Sequence, residues 1–131
     1  MPTVLITPEA LRDQNGPHVD ILKEGGFDIS FPADSTLARG HHSDDEVVEQ
    51  LAGVSAAIAS SETYNHNILS RLPDYKVIAR CGVGFDKVNV AEATSLNIPL
   101  TITPNSNHEA VAEMSLMLLL SAAKNLREMD N

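Results

Sequence analysis

Short apolar runs alternate with amphipathic segments along almost the whole chain. Residues 3–7 (TVLIT) form a β-branched run that reads as a buried strand, with Thr7 placed to cap a helical turn that opens on Pro8. Gly16 and Pro17 end that turn, and residues 18–24 predict a short helix closed by Gly25 and Gly26. Residues 27–31 (FDISF) predict a second strand. Ser43 and Glu46 make a capping box ahead of the helical apolar pattern Val47, Val48, Leu51, which Gly53 ends. Residues 54–59 predict a third strand, Asn65 opens a short helix through Ile68 and Leu69, and residues 76–79 predict a fourth strand. Asn89 and Glu92 are spaced as another cap, and residues 98–102 predict the fifth strand. Ser106 and Glu109 are spaced as a last capping box, with Asn107 competing, ahead of a long helix at about 109–126. Between Val111 and Ala123 nearly every position of that helix is apolar, which predicts burial on most sides. Strands alternating with helices predict an α/β fold: a flavodoxin-like parallel five-stranded sheet with helices on both faces, followed by the long helix.

Composition narrows the function classes. A chain of 131 residues with 43% apolar and 21% charged residues fits one soluble domain with a real core. Its net charge of -9 and scattered basic residues argue against nucleic acid, and the absence of Trp removes a usual stacking group. No apolar run reaches the length of a membrane span, and the N-terminal residues lack the pattern of a secretory signal. A single cysteine, Cys81, excludes a disulfide framework and favours the cytoplasm.

In a parallel sheet, ligands bind beyond the carboxyl ends of the strands. Here those ends are Thr7, then Ser60-Ser61-Glu62, then Cys81-Gly82-Val83-Gly84, then Thr103-Pro104-Asn105. The glycine loop is the foremost candidate, but Lys87 stands where a dinucleotide fingerprint needs its third glycine, and no Walker pattern is present. Two readings remain open: a nest of N–H groups for a small anion, and a structural turn needing positive φ. Arg80 fits either a substrate carboxylate or a tie to its own loop through Asp86. The pair His41 and His42 reads as a solvated loop rather than a metal site, His108 as a surface residue of the first helical turn, and Cys81 as a buried structural thiol.

Taken together, two motifs carry a resemblance. Val77-Ile78-Ala79-Arg80-Cys81-Gly82-Val83-Gly84-Phe85-Asp86 presents Arg-x-Gly-x-Gly-x-Asp after an apolar strand. Thr103-Pro104-Asn105-Ser106-Asn107 then precedes Val111-Ala112-Glu113. In this order, residues 75–125 resemble the D-isomer-specific 2-hydroxyacid dehydrogenases, a family that includes the phosphoglycerate dehydrogenases. The upstream part of the chain, from Val4 onward, is more loosely similar to that family's substrate-binding domain.

The resemblance implies that Val83 and Gly84 offer backbone N–H groups to the carboxylate of a 2-hydroxy or 2-oxo acid. It implies a substrate-binding set of Ser60, Ser61, Arg80, Val83, Gly84 and Asn107, with Asn107 opening the interdomain helix near the cleft. Residues 1–105 then form a substrate-binding-type domain and residues 106–131 a hinge helix, which implies a homodimer or a partner chain through the 109–126 helix. The family pattern departs at Lys87, at Asn89 and at the end of the third strand, where many members carry a basic residue and this chain has Ala59-Ser60-Ser61-Glu62. The intact family enzyme uses NAD or NADP on a Gly-x-Gly-x-x-Gly domain with an Arg, a Glu and a His. None of these lies within the 131 residues, so the chain is expected to be the substrate-domain portion, inactive alone and holding no cofactor or metal. The portion could arise by truncation, as a fragment, or as one part of a split enzyme. The alternative is a non-catalytic carboxylate-binding or dimerisation module.

Overall fold

A computed structural model describes residues 1–129. The strands are β1 (Thr3–Ile6), β2 (Asp28–Ser30), β3 (Ala56–Ala59), β4 (Val77–Arg80) and β5 (Leu100–Thr101). The helices are α1 (Pro17–Glu24), α2 (Asp44–Leu51), α3 (His66–Leu69), α4 (Val90–Ser95), α5 (His108–Ala123) and α6 (Leu126–Met129), with 3-10 turns at Glu9–Leu11 and Ser35–Arg39. All five strands pair in parallel in the order β2-β1-β3-β4-β5. This is the flavodoxin-like winding, and its direction reverses between β1 and β3.

Residue alternation divides the sheet. Leu5, Ala57 and Ile78 stand in register across β1, β3 and β4 and enter one core with Leu51 of α2, Leu69 of α3 and Ala93 of α4. Each fully buried Leu or Ile in such a core contributes roughly 1.5–3 kcal/mol. Val4, Ile6 and Ala56 point to the other face, outside that cluster, where α1 packs beside β2.

Local chemistry sets most boundaries as expected. Ser43 and Glu46 form the complete capping box of α2, and Asn65 and Asn89 cap α3 and α4 by accepting from Ile68 N and Glu92 N. Two expected caps do not form. Thr7 does not cap the turn after β1, because its hydroxyl is held by Glu62 and Ile58 instead. Ser106 does not cap α5: its Oγ donates to the Thr103 carbonyl at 3.0 Å, and Asn107 takes the cap position without a side-chain hydrogen bond.

The largest departure is α5. Its apolar sequence predicts burial, yet none of its residues is buried, and Leu119 is 68% exposed. The helix leaves the sheet after the two-residue β5, and its apolar side chains stay exposed. Among the described residues, no helix is long and apolar enough to cross a membrane.

Gly40 closes the 3-10 turn at φ 70°, where a Cβ would overlap the Ser61 carbonyl oxygen. Gly26 has a similar φ of 78° with open space around it. Gly40→Ala is therefore expected to cost about 2–3 kcal/mol and Gly26→Ala only about 1 kcal/mol. Urea unfolding of both variants checks this; equal losses would mean that the Ser61 segment yields at no cost.

Candidate functional site

The carboxyl ends of β1, β3 and β4 lie side by side, so polar residues just past each strand share one rim. The glycine loop follows β4 and is anchored on both flanks. Cys81 N donates to the Ala59 carbonyl at 2.8 Å, and the Gly82 carbonyl accepts from Thr103 N at 3.0 Å. Beyond the loop, Tyr64 N donates to the Lys87 carbonyl and Asn89 N donates to the Tyr64 carbonyl, each at 2.8 Å. These bonds close a short parallel bridge between Tyr64 and Val88. Gly82 sits at φ 153°, and a Cβ there would collide with the Arg80 guanidinium. Between the anchors, Val83 and Gly84 are exposed, and among the described residues neither N–H donates a hydrogen bond. Unpaired N–H groups on a fixed, exposed loop can receive an anion.

Of the expected substrate-binding residues, Ser60 and Ser61 sit at the end of β3, and Arg80, Val83 and Gly84 at the end of β4. Asn107 takes the N-cap position of α5. Arg80 does tie down its own loop, through the Cys81 carbonyl at 2.6 Å rather than through Asp86. Cys81 is exposed, which corrects the expected buried thiol; the strand end lifts it out of the core. His42 is not a solvated loop residue: its side chain is only 13% exposed and its Nε2 lies 2.9 Å from Asp34 Oδ2. Together with Thr36, that contact holds the Asp34 carboxyl down to about 2. Among the described residues, no three His, Cys, Asp or Glu side chains gather to hold a metal ion.

A feature of the rim escaped sequence reasoning. Glu62, directly after Ser61, is 1% exposed although it is a carboxylic acid. Its Oε1 lies 2.8 Å from Thr7 Oγ1 and accepts from Tyr64 OH at 3.0 Å. Its Oε2 accepts from Ser60 N at 3.0 Å, while Thr7 Oγ1 also accepts from Ser60 N at 2.9 Å. Tyr75 OH lies 3.2 Å behind Tyr64 OH. Burial raises the Glu62 carboxyl above its ordinary range, and the hydrogen bonds from its neighbours only partly offset this. Burial likewise raises both tyrosines. A sequence signal existed: Thr7 and Glu62 lie just past the two strands that flank the switch point. The apolar pattern gave no reason to pair them across 55 residues.

A groove of about 580 Å³ opens elsewhere, beside β5, and is lined by apolar residues including Val90, Ile98 and Leu100. It shares only Phe85 with the surroundings of the glycine loop and holds no titratable group.

The winding order and the switch point define a doubly wound parallel α/β domain. Comparison narrows the class: the D-isomer specific 2-hydroxyacid dehydrogenase family, catalytic domain, matches residues 8–127, and the chain belongs to that family. It is 31% identical over 131 residues to a glyoxylate reductase of Thermococcus onnurineus, covering 98% of this chain and 36% of that protein. It is 37% identical over 73 residues to a D-3-phosphoglycerate dehydrogenase of Mycobacterium leprae, covering 56% of this chain and 14% of that one. Among solved structures, a Thermus thermophilus protein superposes with a TM-score of 0.76 at 27% identity, over 96% of this chain and 38% of that one. An NAD+-bound 3-phosphoglycerate dehydrogenase of Entamoeba histolytica shares the fold, with a TM-score of 0.71 at 18% identity over 92% of this chain and 38% of its own. The chain thus spans 14% to 36% of the length of these two sequence relatives.

The raised Glu62 carboxyl sets a pH dependence. Its contribution to stability is fully present below the ordinary value of 4.5 and is lost as pH rises through the raised one. Glu62→Gln should therefore gain stability relative to the parent as pH rises above 4.5, then level off. Thermal melts of both proteins from acid to mildly alkaline pH test this; a constant difference in Tm would refute the direction of the shift.

Proposed function

We propose that this chain is the substrate-domain portion of an NAD(P)-dependent D-2-hydroxyacid dehydrogenase, with residues 1–105 as the substrate-binding unit and 106–131 as the hinge helix. The unpaired N–H groups of Val83 and Gly84, held at the carboxyl end of β4, carry the reading. They would receive the carboxylate of a small 2-hydroxy or 2-oxo acid, with Arg80, Ser60 and Ser61 lining the approach and Asn107 on the hinge side. The likeness to a glyoxylate reductase along almost the whole chain supports a small acid as ligand.

The glycine loop does not suit a dinucleotide. Lys87 replaces the third glycine, and α4 begins only at Val90. NAD or NADP is therefore assigned to a segment outside these residues, where the bound nicotinamide would supply the hydride. The task of these residues is to fix the carboxylate so that the 2-position faces that segment. By themselves they are expected to give no NADH-dependent reduction of 2-oxo acids.

Calorimetric titration should show glyoxylate or pyruvate binding and no NADH binding. Gly84→Pro, which deletes one N–H donor, should weaken oxo-acid binding about tenfold. NADH binding would reveal a nucleotide site in these residues and refute the assignment; silence toward both acids would refute the carboxylate site.

The exposed apolar surface of α5 favours a second reading alongside the first, in which the chain associates through this helix with a second copy or a partner chain. Light scattering should find the chain larger than a monomer, and Leu119→Glu, at the most exposed leucine of α5, should shift it toward monomer. A clean monomer in the parent would count against association.

A further inference from the structure

We propose that Glu62 is a positioning residue that sets the geometry of the carboxylate-receiving loop from beneath, by fixing the ends of β1 and β3 to one buried carboxyl group and, through Tyr64, the loop after β4. This deepens the substrate-site reading and rests on it.

Each step is a contact. Oε2 holds the Ser60 N–H, so it fixes the residue that follows β3. Oε1 meets the Thr7 hydroxyl, which joins the end of β1 to the same point. Oε1 also accepts from Tyr64 OH and thereby orients Tyr64, whose backbone N–H and carbonyl clamp Lys87 and Asn89. Lys87 begins one residue beyond Asp86 of the glycine motif, and Val88 N donates back to the Phe85 carbonyl at 2.9 Å. The carboxyl group therefore reaches the far anchor of the loop through Tyr64, and the near anchor through Ser60 and its neighbour Ala59, which accepts from Cys81 N. Among the described residues, the titratable groups facing Glu62 are Tyr64 and Tyr75, and no Lys, Arg or His side chain pairs with it.

A carboxyl group buried without a cation is a poor way to stabilise a fold, because an apolar side chain of similar size would fill the space without the desolvation cost. Its two oxygens do what no apolar group can. They gather three donors at one point, one from the segment after β1 and two from the segment after β3. The cost falls on stability and the benefit on loop geometry, so the two can be separated.

Glu62→Leu removes both acceptor oxygens while leaving Thr7 the Ile58 carbonyl, Ser60 the Thr7 hydroxyl and Tyr64 the Tyr75 hydroxyl. In the 131-residue chain this variant should keep the parent Tm or exceed it. The Ser60, Tyr64 and Asn89 amides should exchange with deuterium at least about tenfold faster, with core amides such as Ile78 unchanged. Glyoxylate affinity should fall about tenfold. Glu62→Gln, which keeps the shape but only one acceptor oxygen, should accelerate the same amides to a smaller degree, and it decides the matter if the leucine variant does not fold. Unchanged exchange at these amides in the folded variants would overturn the proposal. So would a fall in Tm with faster exchange spread evenly over the chain, which is the mark of a purely structural group. If the parent binds no glyoxylate, the substrate reading fails alone, and the exchange pattern still decides the role of Glu62.

Discussion

Parallel pairing of β1, β3 and β4 is the constraint on which the rest depends. Parallel strands point the same way, so their carboxyl ends fall on one rim, and the reversal of winding between β1 and β3 opens that rim at Thr7 and Glu62. The short connections that follow each strand then meet. The loop after β3 runs beside the loop after β4 for long enough to make one parallel bridge at Tyr64 and Val88. Without the ladder, neither Ser60 nor Gly84 would have a fixed position.

Rim and core are made differently. Below the rim, side chains from α2, α3 and α4 close over Leu5, Ala57 and Ile78, and apolar burial holds them. At the rim, polar atoms must be paired because water is excluded around Glu62. The pairing is directional, so it fixes where the strand ends point rather than merely how tightly they pack. A loop that receives an anion through backbone N–H groups needs that directionality, because those groups act only when aimed at one place.

The long helix α5 shows a third condition. Its residues are apolar around the whole circumference, yet the domain offers it no surface. A helix of this kind is complete only with cover from several sides. Its exposure and the good closure of the core beneath the sheet are compatible, since α5 departs after β5 and the core does not draw on it.

The sequence by itself determined the order of strands and helices, the parallel sheet and three of the helix caps, because these depend on neighbours a few residues apart. The periodic apolar runs and the Ser43, Asn65 and Asn89 caps are signals of that local kind. It also marked the glycine loop, since a positive φ at Gly82 and the sequence around it are local features. Tertiary structure alone decided which polar residues meet. Thr7 and Glu62 lie 55 residues apart, and only the β1–β3 register brings them together and turns Thr7 from a cap into a partner for a buried acid. The exposure of Cys81, the partial burial of His42 and the bareness of α5 were decided in the same way. Each depends on what lies across from the residue in space, and the periodicity of a chain says that a side chain requires cover without saying where the cover is.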